Sequence, residues 1–411
     1  MTSERSVTSA ASAAPRQAPA RGEAFTVGLV VNPVAGVGGP AGLKGSDGAE
    51  IQRRALARGA SLRAGERAAQ AVRALLARRP GARILTVPGP MGEDSARAAG
   101  AVPELLRIVP GAPSSGKDTT AAVEAMRDAV DLLLFAGGDG TARDVLDGAP
   151  SCPVLGVPAG VKVYSGCFAV SPATAGAVAA EFARDAPAPG GTDGSGTYGG
   201  TVEAEVVDLD EEAYRRGAVS PRLYGTLRVP AVRARLSGRK VGSSSGAPGS
   251  AEGVAAEVVA RMRPGVRYVL GPGATTMAVG RLLGLATTLL GVDVVQDGEL
   301  VAADVAEREL LDLVDGRETH AVVSVIGGQG FVLGRGNQQI SPAVLKKIMA
   351  SGGLVVLATQ QKLAGLNGRP LLADTGDPEA DALVEGYVPV ITGHRESALY
   401  RIRSAIEEFP S

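Results

Sequence analysis

Phe135-Ala136-Gly137-Gly138-Asp139-Gly140-Thr141-Ala142-Arg143-Asp144-Val145 is the stretch from which the fold can be read. The run before it, Val130-Asp131-Leu132-Leu133-Leu134-Phe135, is short, apolar and closes on glycines. That is the pattern of a strand buried on both faces of a parallel sheet. Beyond it, Thr141 is placed to cap a short helix through Val145 and Leu146. A strand that empties through Gly-Gly-Asp-Gly-Thr into a helix bares backbone N–H groups at the carboxyl edge of the sheet. Glycine lets a phosphate reach the main chain there, where a Cβ would hold it off. Asp139 is the one fixed carboxylate of that turn, suited to ligating Mg²⁺ or to taking a proton from a hydroxyl nucleophile. The plainer alternative is a glycine-rich turn in which Asp139 makes only an Asx-turn. The strand before and the helix after favour phosphate binding.

Toward the N-terminus, Thr26 to Val31 reads as a buried strand that stops at Asn32-Pro33. The loop from Asn32 to Gly48 carries Gly36, Gly38, Gly39, Gly42, Gly45 and Gly48, with Lys44 and Asp47 among them. A loop so rich in glycine after the first strand of an α/β domain is where a nucleotide or phosphate is usually met, with Asn32 and Gly36 as contacts; a flexible surface loop is the alternative. It has neither Walker spacing nor Gly-x-Gly-x-x-Gly. Residues 50–79 read as one helix, Arg83 to Val87 as a strand, Asp94 to Ala99 as a short helix and Leu105 to Val109 as a third strand. Ser114 or Ser115 caps a helix from Asp118 to Val130. After the anchor come the strand Pro153 to Val157 and the turn Pro158 to Lys162, where Lys162 reaches a phosphate or is a solvated tip. Strands alternating with helices predict a doubly wound parallel sheet over 25–165.

From about residue 166 the texture changes. A helix from Ala173 to Asp185, strand-like runs Glu203 to Leu209 and Leu223 to Val229, and Gly/Ser-rich loops at 190–200 and 239–252 predict a β-rich second domain over 166–395. The segment 396–411 is expected to pack back on the first domain. The strand Val266 to Leu270 runs into Gly271-Pro272-Gly273-Ala274-Thr275-Thr276, a second ligand loop in which Thr275 and Thr276 cap a helix and bond a ligand, or cap alone. After the strand Ala321 to Ile326, the run Gly327 to Pro342 holds Arg335, whose fork suits a phosphate, and Asn337, which suits a ribose hydroxyl or base edge. Gln338 and Gln339 are weaker candidates. The turn Asp374-Thr375-Gly376-Asp377 is better suited to turn duty than to a metal.

Composition bounds the rest. The chain has 411 residues, long enough for two or three domains, and 45% hydrophobic residues against 3% aromatic ones, so its core is aliphatic. A net charge of −1 offers no general attraction to nucleic acid or an anionic membrane, and neither is expected as a partner. Two cysteines and two histidines give neither a disulfide framework nor a zinc site, and His320 and His394 show no partners. Residues 1–24 lack the apolar core of a signal peptide and read as a disordered tail, so a cytoplasmic protein is expected.

Gly137-Gly138-Asp139-Gly140-Thr141 after an apolar strand resembles the signature shared by NAD kinases, diacylglycerol and sphingosine kinases and 6-phosphofructokinases. Together with Val31-Asn32-Pro33, the loop Gly271 to Met277 and the run Gly327 to Pro342, it resembles the ATP-NAD kinase-like group that includes AcoX proteins. The resemblance covers residues 26–400 outside the two Gly/Ser loops. It implies an N-terminal α/β domain, a β-rich C-terminal domain and an active site between them. It further implies phosphoryl transfer from ATP or polyphosphate, with Mg²⁺, to the 2′-hydroxyl of NAD. In that role Asp139 activates the hydroxyl, and Gly137, Gly138, Gly140 and Thr141 surround phosphate and ribose. Gly271, Gly273, Thr275 and Thr276 match the nucleotide loop of the second domain. This chain departs from NAD kinases in reading Gly-Pro-Gly-Ala-Thr-Thr for Pro-Thr-Gly-Ser-Thr, in lacking a clear Asn-Glu pair, and in placing Asp144 where lipid kinases prefer asparagine. The departures bear on the acceptor; a non-catalytic nucleotide-binding regulator is the alternative. Relatives commonly form homo-oligomers.

Overall fold

The computed structural model describes residues 25–406 except 44–48, 161–162, 185–199, 210–220, 232–250 and 327. The first half of the chain runs β1 (Thr26–Val31), α1 (Ala49–Ala57), α2 (Ala64–Arg78), β2 (Arg83–Thr86), α3 (Glu93–Ala98), β3 (Glu104–Leu105), α4 (Gly116–Met126), β4 (Leu132–Gly137), α5 (Asp139–Asp147), β5 (Val154–Pro158) and α6 (Pro172–Arg184). Its five strands are all parallel, in the order β3-β2-β1-β4-β5. Strand β4 is buried at every position, as its unbroken apolar run predicts for a central parallel strand covered on both faces.

The helices follow from small residues and caps. Ala64, Ala68, Ala69, Ala71, Val72 and Leu75 form the buried stripe of α2. Their small size lets α6 approach so closely that a Cβ on Gly176 would stand 2.1 Å from the Ala71 carbonyl oxygen. Ser115 and Asp118 make a capping box that starts α4. The single helix expected over 50–79 is two, because Gly59 adopts φ +83 and the Ala60 amide turns back to the Ala55 carbonyl at 3.1 Å, a helix-ending arrangement. The third strand is also shorter than expected: only Glu104 and Leu105 pair, with Leu85 and Thr86.

The second half continues with β6 (Thr201–Leu209), β7 (Pro221–Pro230), α7 (Ala251–Arg261), β8 (Arg267–Leu270), α8 (Ala274–Leu282), β9 (Asp293–Gln296), β10 (Glu299–Ala302), α9 (Glu307–Val314), β11 (Thr319–Ser324), β12 (Phe331–Leu333), α10 (Pro342–Ser351), β13 (Gly353–Leu357), α11 (Gln360–Ala364), β14 (Leu371–Ala373), α12 (Pro378–Ala382), β15 (Gly386–Gly393) and β16 (Glu396–Ser404). Nine of these strands form one mixed sheet, β10-β9-β8-β11-β13-β15-β16-β14-β12. Alternate residues of its strands enter two different cores. Val269, Val323 and Val356 join the α9 and α10 side, whereas Leu270, Val322 and Leu357 join the α7 and α8 side. The architecture is therefore an N-terminal parallel α/β sheet followed by a β-rich C-terminal domain.

The change of texture at 166 does not coincide with a change of core. Helix α6 and the β6–β7 ribbon place Val178, Phe182, Val206 and Val229 in the same core as β1 and β4. The segment expected to return to the first domain instead contributes β16, paired with β14 and β15 of the second sheet. Both cysteines are free thiols. No helix among the described residues is long and apolar enough to cross a membrane. The expected tail 1–24, residues 44–48, Val161 and Lys162, the loop cores 190–199 and 239–250, Gly327 and residues 407–411 lie outside the described residues.

Candidate functional site

The strand order of the first sheet reverses between β1 and β4, and in a parallel sheet a crevice opens at the carboxyl ends of two such strands. Asn32 stands at the end of β1 and Gly137-Gly138 at the end of β4. The Asn32 amide donates to the Ala136 carbonyl at 3.0 Å, and its side-chain Nδ2 donates to Thr141 Oγ1, also at 3.0 Å. Thr141 is buried and does not cap the helix, contrary to expectation. Helix α5 begins at Asp139 after an extended Gly138 with no side-chain cap, so the threonine lies one turn too late and faces Asn32 instead. A Cβ on Gly137 would stand 2.3 Å from Thr141 Oγ1, so the protein's own packing requires glycine there.

The described part of the glycine-rich loop after β1, through Leu43, is not a free surface loop. Gly36 has φ +78 and lies so close to the turn after β5 that a Cβ would come within 2.1 Å of the Ala159 carbonyl oxygen. Residues 37–42 are buried. Pro40 accepts the Glu307 amide at 2.8 Å, and a Cβ on Gly39 would press on Gln338 at 3.2 Å. Close packing thus accounts for these glycines, against the turn after β5 of the first domain for Gly36 and against the second domain for Gly39.

Asp139 lies half-buried in the first turn of α5 and reaches across to residues 164–165. Its Oδ1 accepts the Ser165 amide at 2.8 Å and the Ser165 hydroxyl at 2.6 Å; its Oδ2 accepts the Tyr164 amide at 2.9 Å. Burial raises its pKa above the ordinary carboxylate range, against the downward pull of the Ser165 and Tyr164 donors and of Arg143. Neighbours of this loop carry the contact into the second domain. Val163 accepts Gln329 Nε2 at 3.2 Å, and Tyr164 packs with Leu289 and Leu290. Leu289 in turn accepts the Gly273 amide at 2.8 Å. Asp139 is therefore linked through one segment to both later bends, 271–276 and 327–337. Gln329 lies in the amide-bearing run Gly327 to Pro342 that the sequence singles out, whereas nothing local to Tyr164 and Ser165 signals their contact with Asp139.

In the second bend, α8 starts after Gly273, which has φ +135 and, lacking a side chain, gives the helix no side-chain cap. Thr275 and Thr276 again lie inside the helix rather than at its cap, both buried. Thr276 Oγ1 donates to the Gly273 carbonyl at 2.8 Å, and Thr275 Oγ1 accepts Lys362 Nζ at 3.2 Å.

Arg335 and Asn337, expected at phosphate and ribose, are turned into the protein. Arg335 donates from Nη2 to the Val170 carbonyl at 2.7 Å and from Nε to Asp374 at 3.3 Å, and its guanidinium lies 4.5 Å over the Phe331 ring. Asn337 closes the bend after β12, accepting the Gly334 amide at 3.0 Å and donating to the Val332 carbonyl at 2.8 Å. A polar side chain in a glycine-rich run serves a ligand or the backbone equally well, and here the backbone takes it. Asp377 does turn duty, capping α12. His394 meets Glu257 at 3.3 Å and His320 stacks on Tyr268, so both histidines have partners.

The described residues include no group of three His, Cys, Asp or Glu able to hold a metal ion, and Asp139 is already engaged by amides and a hydroxyl. A dedicated Mg²⁺ cage does not fit this donor set.

Two family models match the chain: the ATP-NAD kinase N-terminal domain over residues 27–186 and the ATP-NAD kinase C-terminal domain over residues 263–402. The chain belongs to the ATP-NAD kinase family. No curated protein and no solved structure matches it. The two matched segments are narrower than the cores. The first runs through α6 and the second opens just before β8, while the β6–β7 ribbon and α7 fall between them.

Proposed function

We propose that this ATP-NAD kinase family member transfers a phosphoryl group from ATP or polyphosphate to the 2′-hydroxyl of NAD or a related nucleotide. The observation that carries the reading is the place of Asp139: at the switch point of the first sheet and joined through residues 163–165 to both bends of the second domain. Phosphoryl transfer needs positioning and charge stabilisation more than covalent chemistry, which suits a site built from backbone amides and one carboxylate. Gly137, Gly138 and Gly140 let phosphate approach the main chain beside the Asn32–Thr141 bond. Gly271 to Thr276 receives the nucleotide from the second domain. Oδ2 of Asp139 accepts only the Tyr164 amide among the described residues, leaving room for the substrate hydroxyl. A carboxylate whose pKa is raised by burial is a stronger base for that proton. Mg²⁺ arriving with the donor would be held by phosphate oxygens.

The second reading, a nucleotide-binding regulator without turnover, draws on the donors already engaging Asp139. Incubation with ATP or polyphosphate, Mg²⁺ and a panel of nucleotide acceptors, read as a mass gain of one phosphate, separates the two. Phosphorylated NAD is the expected product. Nucleotide binding with no product from any donor and acceptor would overturn the kinase reading.

A further inference from the structure

Three neighbouring parallel strands of the second sheet, β8, β11 and β13, end on one edge, and each delivers a polar group to the same place. Thr275 follows β8, Ser324 is the last residue of β11, and Lys362 lies in the helix that Thr359 caps after β13. Lys362 Nζ donates to Ser324 Oγ at 2.7 Å and to Thr275 Oγ1 at 3.2 Å.

We propose that Lys362, with Ser324 and Thr275, binds a phosphate group at this edge, carried either by a nucleotide or by a polyphosphate chain. The inference rests on the nucleotide-kinase reading and assigns it a residue. Because each hydroxyl accepts from the ammonium, its own hydrogen is left to donate, and neither donates to any group among the described residues. Two hydroxyl donors beside an ammonium call for a ligand that only accepts and carries negative charge, which is the chemistry of phosphate oxygens. A lysine also loses much rotamer freedom when fixed, and half-burying its charge costs desolvation. A mere link between three elements would be made more cheaply by a neutral side chain.

The test uses the full chain and four probes: ATP, NAD, inorganic tripolyphosphate and adenosine. Lys362→Met should weaken the Kd of at least one phosphate-bearing probe by roughly 10- to 100-fold, the loss of a charge-assisted contact. Adenosine binding and the melting temperature of the free protein should stay as in wild type, Lys362→Arg should recover part of the affinity, and Ser324→Ala should lose several-fold. Loss confined to ATP and tripolyphosphate places the donor here; loss confined to NAD places the acceptor. Unchanged affinity for every phosphate probe overturns the proposal. So does an equal loss for adenosine with a lowered melting temperature, which marks a structural staple. Lys362-dependent binding without product defeats the kinase reading alone, whereas a wild-type chain that binds no probe defeats both.

Discussion

Arg67 Nη2 and Asp374 Oδ2 stand 2.6 Å apart, an ion pair that ties α2 of the first domain to the turn after β14 of the second. The same carboxylate oxygen takes Arg335 Nε at 3.3 Å, so one aspartate serves two guanidinium groups. Burial pushes Arg335 down to about 10, with Asp374 supporting the charged form against it. Asp374→Ala leaves two cations facing each other without their counter-charge. Removing one partner of a buried pair costs about 3–5 kcal/mol, so the urea midpoint should fall sharply. Arg67→Ala should cost less, because its side chain is 14% exposed against 3% for Asp374. A wild-type midpoint in Asp374→Ala would show the clasp to be idle.

Asp381, packed against this clasp, makes stability depend on pH in an unusual direction. Its Oδ1 accepts the Thr375 amide and hydroxyl, while its buried Oδ2 has no partner among the described residues. Burial, with Asp374 nearby, raises its pKa from 3.8 to about 6. A carboxyl group raised on folding is stabilising when protonated, so its contribution is full below about pH 4 and is lost as pH rises through about 6. Asp381→Asn should flatten the unfolding free energy across that window and raise stability at pH 7 by about 1–2 kcal/mol. The check is denaturation at a series of pH values; parallel curves for wild type and variant would refute the assignment.

The strand, glycine turn and helix of the anchor motif were legible, though not the distant partner of Thr141, because the three are contiguous and local chemistry settles their order. Thr26 to Val31, the Ser115 cap and the strand before Gly271 follow for the same reason. What the sequence hid is set by partners distant along the chain. Gly36 and Gly39 read as phosphate-loop glycines, yet Ala159 and Gln338 are what crowd them. Arg335 read as a phosphate fork, yet its partners Val170 and Asp374 lie 165 and 39 residues away. Lys362 sits in a short helix with no motif around it, and only the sheet order brings it to Thr275. The β6–β7 ribbon joins the first core because its apolar face fits α5 and β5, which no local pattern announces.

Asp139 should govern the pH dependence of turnover. A general base works deprotonated, so kcat/KM should rise with pH through the pKa of Asp139 and then level off. Because burial raises that pKa, the acid limb should lie above the ordinary carboxylate range. Asp139→Asn should remove the limb and lower turnover by roughly 10²–10⁴-fold. The amide also turns an N–H toward the donors of Tyr164 or Ser165, so a modest fall in melting temperature should accompany the loss. Full activity in Asp139→Asn would remove the base from the mechanism.

Gly137 is constrained by Thr141, and that constraint can be measured apart from catalysis. An added Cβ would meet Thr141 Oγ1 at 2.3 Å and Thr141 Cβ at 2.4 Å. The second atom cannot rotate away, so α5 must shift and the 3.0 Å bond from Asn32 must lengthen. Gly137→Ala should therefore cost about 1–3 kcal/mol, the usual penalty of overpacking, and weaken nucleotide binding with it. Asn32→Ala, which removes the bond without the clash, should cost about 1 kcal/mol. Gly81→Ala is the control: nothing stands within 4 Å of its Cβ, and its midpoint should stay within about 0.5 kcal/mol of wild type. If Gly137→Ala behaves like Gly81→Ala, the turn is slack, and the close approach of Thr141 is not what fixes the position of Asp139.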